Sequence, residues 1–188
     1  MHRQSLLHLL RQHQSVDARE RAMTDATIAF VGQNPDCFER SLPAGHVTAS
    51  ALIVSPDRQR VVLIHHRKLN RWFQPGGHAD GIPDVATVAM QEAREETGLT
   101  SLQFIRKPGQ LPAVFDVDVH TIPARADVPE HLHYDIRFLL EADPAESFRQ
   151  NHESNDIRWF TLSMAIQAAD SESVARMIRK LPNIDSIT

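Results

Sequence analysis

Residues 77–99, GHADGIPDVATVAMQEAREETGL, form the most informative segment of this chain. It predicts a helix over residues 83–97, because proline is favoured in a first helical turn and Gly98 is a common stop signal. Asp84 would lie beside the positive end of the helix dipole. One face of the helix would pack against a sheet, since it carries the apolar residues Val85, Val88, Ala89 and Ala93.

Three glutamates lie towards the end of this predicted helix. Glu92 and Glu96 are four residues apart and Glu95 follows Glu92 by three, so their carboxylates share one face. Like charges at this spacing destabilise a helix by roughly 0.2–0.5 kcal/mol per pair unless a cation neutralises them. Arg94 lies too far round the helix to do so, whereas Mg²⁺ or Mn²⁺ would accept these oxygen ligands. The alternative interpretation is a solvated acidic helix face.

This stretch resembles the Nudix box, the signature G-x5-E-x7-R-E-U-x-E-E-x-G-U, in which U is a bulky apolar residue. Ala93 fills one apolar position with a smaller side chain, and the aligned chain matches at Gly77, Glu92, Glu95, Glu96, Gly98 and Leu99. The order of the flanking elements extends the resemblance over about residues 45–170. The chain is therefore identified as a member of the Nudix family. The expected fold is an α/β (α+β) sandwich with a mixed sheet flanked by helices.

Two positions depart from the signature. Pro83 and Gln91 stand where the family has a glutamate and an arginine that form a salt bridge between the loop and the helix. Because both partners are missing, no charge is left unpaired. We expect Pro83 to stiffen the loop, or Asp84 to offer a substitute carboxylate.

The resemblance implies a metal-dependent hydrolase that cleaves a diphosphate linkage in a nucleoside diphosphate joined to another moiety. Glu92 and Glu96 would be the principal ligands of Mg²⁺ or Mn²⁺, and Glu95 a further ligand or positioning group. The backbone carbonyl of Gly76 is another candidate ligand, since glycine lets the backbone approach a metal closely.

An additional catalytic carboxylate is expected outside the box. Family members commonly place an acidic residue shortly before a strand that ends in Trp-Phe. Glu153 has this position before Trp159 and Phe160, so it is the candidate general base or extra metal ligand. The alternative is an ordinary loop carboxylate.

Eleven histidines are many for a chain of this length, and several are grouped. His131, His133 and Asp135 alternate along a predicted strand and so would point to one face. They could bind a transition metal, line a substrate pocket, or lie exposed at the start of the strand. His78 follows Gly77 directly in the loop and could reach a phosphate or a leaving group.

A basic pair ends another predicted strand. Arg67 and Lys68 precede the glycine-rich loop, where they could hold a distal phosphate or be solvated. The nearby Trp72 could stack on a base, although an aromatic residue at this position is more often part of the core.

The rest of the chain predicts one domain with a helical extension. Residues 1–44 form an N-terminal helical appendage that caps the pocket or contacts a second copy, and residues 45–188 form the Nudix domain. Helices are expected at about residues 3–31, 163–169 and 171–181. Strands are expected at residues 48–54, 61–64, 102–105, 113–120, 134–141 and 156–160.

Composition limits the location and the partners of the chain. A net charge of −4 argues against binding to duplex nucleic acid, which needs a basic surface. No apolar run approaches the roughly 20 residues of a membrane span. The single cysteine, Cys37, suits a reducing, cytoplasmic compartment. A homodimer is the default expectation, because members of this family often dimerise.

Two other functions stay open at this point. A non-hydrolytic Nudix-fold sensor or regulator of nucleotide ligands would explain the losses at Pro83 and Gln91. An enzyme like isopentenyl diphosphate isomerase shares the fold but needs a catalytic cysteine, and Cys37 lies in the appendage.

Overall fold

The computed structural model describes residues 2–106, 109–125, 128–152, 154–169 and 171–181. Its helices are α1 (Gln4–Gln12), α2 (Ala18–Gln33), α3 (Val85–Thr97), α4 (Leu162–Ala169) and α5 (Glu172–Lys180). Its strands are β1 (Gly45–Val54), β2 (Arg60–His66), β3 (Arg71–Phe73), β4 (Gly76–His78), β5 (Gln103–Phe104), β6 (Asp116–Ile122), β7 (His131–Glu141) and β8 (Ser154–Thr161).

The strands form one mixed sheet centred on β1 and β7. These two strands run parallel, with Thr48 opposite Asp135, while the other strand pairs are antiparallel. Strand β4 pairs with β1, and β6 pairs with β7. Residues from four strands are thereby placed side by side near the start of β1.

Helices cover both faces of this sheet, as predicted for the sandwich fold. Alternate residues of β1, such as Ala49 and Ala51, pack in a core that includes residues of α1, α2 and α3. On the opposite face, Leu52 and Val54 pack with residues of α4 and α5. The first half of that second face is polar, because β1 begins there with His46, Thr48 and Ser50.

Helix α3 begins two residues later than predicted. The side chain of Asp84 accepts a hydrogen bond from the Thr87 backbone N–H at 3.2 Å and so caps the helix. Pro83 therefore precedes the helix instead of lying in its first turn. The predicted stop is confirmed, since Gly98 adopts the left-handed conformation with φ 71°.

The strands differ from the prediction mainly at their ends. The predicted hairpin of β1 and β2 is present, but β1 begins at Gly45 because its parallel pairing with β7 starts there. Strand β7 likewise begins at His131. Strands β3 and β4 are too short to give a periodic sequence pattern.

The N-terminal helices are part of the main core. Leu6, Leu10 and Val31 are at most 1% exposed, and the ring of Phe30 stacks on that of Tyr134 with centroids 3.9 Å apart. The division of the chain at residue 44 remains a prediction.

A buried ion-pair network joins this N-terminal segment to the last helix. Glu20 of α2 accepts hydrogen bonds from His13 and from Lys180 of α5, and Lys180 also contacts Asp116 at 2.7 Å. Burial opposes ionisation of Glu20, but the hydrogen bonds from His13 and Lys180 outweigh it and lower its pKa to about 2.

Within the described residues, no helix combines the length and the apolar composition that spanning a membrane requires.

Candidate active site

The candidate active site is a cleft of about 350 Å³ on the polar half of the second sheet face. Its floor contains Thr48 of β1, Asp135 of β7 and Asp118 of β6, which face one another across neighbouring strands. Gly76, Gly77 and Glu96 line one side of it, and residues at the start of α5 line another.

Glycines allow the carboxylates of α3 to approach strand β4. The backbone N–H of Gly76 donates a hydrogen bond to Glu96 Oε2 at 2.9 Å. A Cβ at Gly77 would lie 2.4 Å from Glu92 Oε1, so this carboxylate occupies the space that a side chain would need. The structure therefore brings Glu92 and Glu96 to the paired glycines. Glu95 is exposed and is not among the residues that line the cleft.

These oxygens fit a hard divalent cation. Mg²⁺ is usually held by one or two protein carboxylates together with phosphate oxygens and water, rather than by a closed protein cage. The Glu92 carboxylate lies beside Gly77, and Glu96 lines the cleft. Two carboxylates in these positions match that pattern. The arrangement can hold a cation between α3 and a phosphate in the cleft.

The cleft floor is a buried network of charges. Asp135 accepts hydrogen bonds from Thr48 Oγ1 at 3.0 Å, Ser50 Oγ at 2.8 Å and Arg137 Nε at 2.8 Å. Burial opposes ionisation of Asp118, but His120 and Arg137 hold its pKa well below its usual range. Asp135 lies on the predicted face, and its oxygens already accept protein hydrogen bonds.

Five histidines meet beside this floor, which we call the histidine cluster: His46, His78, His120, His131 and His133. His46, His133 and His120 are direct neighbours across β1, β7 and β6. The ring centroid of His133 lies 4.7 Å from that of His46 and 5.4 Å from that of His120. The predicted shared face of His131, His133 and Asp135 is confirmed by this geometry.

The environment of the cluster favours the neutral form of the buried His46 and the half-buried His133. Burial, together with a smaller effect of the neighbouring imidazoles, lowers the pKa of His46 to about 4 and that of His133 to about 2. Within the described part of the chain, neither ring nitrogen of His46 has a hydrogen-bond partner, nor does Nε2 of His133. An unpaired buried polar group typically costs about 1–3 kcal/mol, so these nitrogens reduce the stability of the fold.

A second cavity of about 640 Å³ adjoins the cleft and is basic. Arg67, Lys68, Arg71 and Arg125 line it together with members of the histidine cluster. Arg67 Nε donates to Asn155 Oδ1 at 3.2 Å, which orients this guanidinium. Arg67 and Lys68 thus line one cavity with His78, His131 and His133. Their substrate roles remain predictions.

Two further predicted residues have different outcomes. Trp72 is half-buried, packs against the core on the second sheet face and contacts Phe160 edge-to-face with ring centroids 4.8 Å apart, which agrees with the core interpretation of this ring. Glu153 lies outside the described residues.

The loop before α3 is held by the N-terminal segment, which the sequence did not indicate. Arg40 forms an ion pair with Asp80 through both carboxylate oxygens. The Gly81 N–H also donates to the Phe38 carbonyl at 3.0 Å. A motif comparison alone could have pointed only to the missing pair, because Arg40 lies far from the box in sequence.

Comparisons with known proteins bear on the family and the fold of this chain. A family model described as the NUDIX domain matches residues 44–181. No curated protein matches the chain. A Caenorhabditis elegans Ap4A hydrolase in a binary complex has 19% identity and a TM-score of 0.54, with 74% of this chain and 97% of that chain covered.

Two other solved structures are similar at the same level. A dihydroneopterin triphosphate pyrophosphohydrolase from E. coli has 18% identity and a TM-score of 0.55, covering 73% of this chain and 95% of that chain. A NUDIX family hydrolase from Clostridium perfringens has 19% identity and a TM-score of 0.53, covering 74% and 97%. At these identities the likeness concerns the fold.

Proposed function

Because this chain belongs to the Nudix family of pyrophosphohydrolases, we propose that it hydrolyses a nucleoside diphosphate joined to another moiety, with Mg²⁺ or Mn²⁺ as cofactor. One observation carries the proposal: Glu96, held by the Gly76 N–H at 2.9 Å, lines a cleft that opens into a basic cavity. This is the combination of charges that a metal-bound phosphate needs.

The residues of α3 and β4 would hold the metal. Glu92 and Glu96 are the proposed carboxylate ligands, and the carbonyl of Gly76 is the proposed backbone ligand. A bound divalent ion would neutralise charge on the phosphoryl oxygens and lower the pKa of the attacking water. We propose the exposed Glu95 as an additional ligand or positioning group and keep Glu153 as the candidate general base or extra metal ligand.

The basic cavity would orient the phosphates. Arg67 and Lys68 present positive charge there, and His78, His131 and His133 line the same space. Charge-assisted hydrogen bonds from guanidinium and ammonium groups to phosphate are among the stronger polar contacts in proteins. Asp135 would act by keeping Arg137 and the cleft floor in place, given the hydrogen bond of 2.8 Å between these two side chains.

The names of two structural relatives support a substrate with a phosphate anhydride. One is an Ap4A hydrolase and the other a dihydroneopterin triphosphate pyrophosphohydrolase. The two adjoining cavities, about 350 and 640 Å³, also suit a substrate with two bulky parts on either side of its phosphates.

Cys37 does not fit the isomerase alternative. It is fully buried in the core and lines neither of the two cavities. Burial raises the pKa of its thiol to about 11, which disfavours the reactive thiolate.

We retain the cytoplasmic location and the homodimer as parts of the proposal.

The test is release of phosphate-containing products from a panel of nucleoside diphosphate derivatives with Mg²⁺ or Mn²⁺. Glu96→Gln should abolish turnover while circular dichroism shows an intact fold, because it removes charge at the proposed metal. Asp25→Asn changes an exposed carboxylate on α2 and should keep wild-type rates. Full activity in Glu96→Gln would refute the metal assignment. Ligand binding without turnover in the wild type would favour the sensor function.

A further inference from the structure

We propose that His46, His131 and His133 form a second metal site, selective for a borderline transition ion with Zn²⁺ as the best fit, separate from the glutamates of α3. One nitrogen from each of these rings lies within 4.8 Å of those of the other two. Within the described part of the chain, this is the group of three ligand-type side chains that converges in this way.

Strand pairing places the three rings together. His46 lies opposite His133 in the parallel pair of β1 and β7, and His131 is two residues before His133 on the same face. Both strands are central in the sheet, so their backbones are held on both sides. A site built on such strands is more rigid than one built on a loop.

The unpartnered nitrogens point to a missing ligand. His46 is 2% exposed, and neither of its ring nitrogens has a hydrogen-bond partner among the residues that the structure describes. Nε2 of His133 lacks one as well. Buried polar groups in proteins are nearly always satisfied, and a bound water or ion is one of the recognised explanations for an exception.

The donor type selects the ion. Neutral imidazole suits Zn²⁺, Co²⁺, Ni²⁺ and Cu²⁺, whereas Mg²⁺ prefers oxygen. In a tetrahedral zinc site with bonds of about 2.0 Å, the nitrogens lie about 3.3 Å apart, so small ring rotations would close the set. The two sites would therefore bind different ions. The oxygen donors on α3 would favour Mg²⁺ or Mn²⁺, and the nitrogen donors on the sheet would favour Zn²⁺.

The fourth coordination position would face the basic cavity. His131 and His133 are half-buried and line this cavity beside Arg67 and Lys68. A three-ligand zinc site leaves one position for water or an exogenous ligand. The chemical class of that ligand is an anionic oxygen, such as a phosphate oxygen, since the surrounding side chains are basic.

The experiment is calorimetric titration of the full chain with Zn²⁺, together with the visible absorption spectrum after titration with Co²⁺. We expect one tight Zn²⁺ site and the intense visible bands of four-coordinate cobalt. His46→Gln and His131→Gln should each raise the Zn²⁺ dissociation constant more than about 100-fold, because losing a ligand exceeds the roughly 10–100-fold effect of losing an outer partner. His8→Gln, which changes an exposed histidine on α1, should bind as the wild type does.

Glu96→Gln separates this site from the hydrolase site. It should keep the tight Zn²⁺ site and the cobalt bands even though it lacks turnover. His131 is half-buried, so its variant should fold and keeps the test valid if His46→Gln does not. Unchanged Zn²⁺ binding in His131→Gln, or loss of the cobalt bands in Glu96→Gln, would overturn the proposal without bearing on hydrolysis.

Discussion

The guanidinium of Arg40 holds the carboxylate of Asp80 at two points, with Arg40 Nε 2.5 Å from Asp80 Oδ1. Arg40 belongs to the segment between α2 and β1, and Asp80 to the loop before α3. This is the loop in which Pro83 replaces the glutamate of the Nudix signature. The N-terminal segment thus contributes a brace where the family's own salt bridge is absent.

Removing this brace should affect turnover more than stability. The pair is exposed, with 59% and 47% of the two side chains accessible, so Arg40→Ala should lower the free energy of unfolding by at most about 1 kcal/mol. The loop would lose its orientation, and we expect kcat to fall roughly 3- to 10-fold, since small misplacements reduce catalysis. Rates of Arg40→Ala, Asp80→Asn and the double variant check this. Additive losses in the double variant would contradict a shared role.

Alanine substitutions at the two glycines of β4 should have different effects, one on metal binding and the other on stability. In Gly77→Ala the new Cβ meets the end of the flexible Glu92 side chain, which can move aside. We expect this variant to fold but to bind Mn²⁺ at least about tenfold more weakly, measured by electron paramagnetic resonance. In Gly76→Ala the Cβ would lie 2.8 Å from the Ala49 carbonyl oxygen, and backbone cannot move aside, so stability should fall.

Gly32→Ala is the matched control for both glycine variants. A Cβ at this position meets nothing within 4 Å, and the residue lies in α2. It should stabilise the protein by about 0.5–1 kcal/mol, because alanine favours helix more than glycine does. Normal Mn²⁺ binding in Gly77→Ala would count against Glu92 as a ligand.

The buried carboxylate of Glu20 should matter for stability. Glu20→Gln removes one partner of a buried ion pair and leaves Lys180 without full compensation, so the free energy of unfolding should fall by about 3–5 kcal/mol. Urea unfolding at pH 7 measures this. Glu172→Gln, at an exposed pair with Arg179, should cost less than about 1 kcal/mol.

The same carboxylate predicts a pH dependence. The folded-state pKa of Glu20 is about 2, below its ordinary value of 4.5, so its contribution is complete above pH 4.5. As the pH falls from 4.5 towards 2, the unfolded state takes up a proton first and the wild type loses stability. Glu20→Gln should lose less stability over this range. Parallel stability curves for the two proteins would show that Glu20 does not contribute.

Lys68 should act on substrate binding. It is exposed at the rim of the basic cavity, so Lys68→Ala removes charge without disturbing the core. We expect KM to rise roughly 3- to 10-fold with kcat nearly unchanged, as for a contact made equally in the ground and transition states. Steady-state kinetics at two salt concentrations check this. A fall in kcat with constant KM would place Lys68 at the reacting phosphate instead.

The Nudix helix could be predicted because its information is local. The spacing of Glu92 and Glu96, the apolar face and the stop at Gly98 all lie within 23 residues, and α3 forms almost as expected. Features outside the helix were harder to predict from the sequence. The exposed position of Glu95 depends on where the helix meets β4, and the start of β1 at Gly45 depends on its pairing with β7.

The histidine cluster could be predicted only in part from the sequence. Alternation along one strand was enough to put His131, His133 and Asp135 on a common face. His46 and His120 join them through the register of β1 and β6 with β7, which no local pattern specifies. The same holds for Glu20 and Lys180, which lie 160 residues apart in sequence. Residue type and periodicity determine the elements and the chemistry they can perform, whereas the packing of distant strands and helices decides which of those side chains meet.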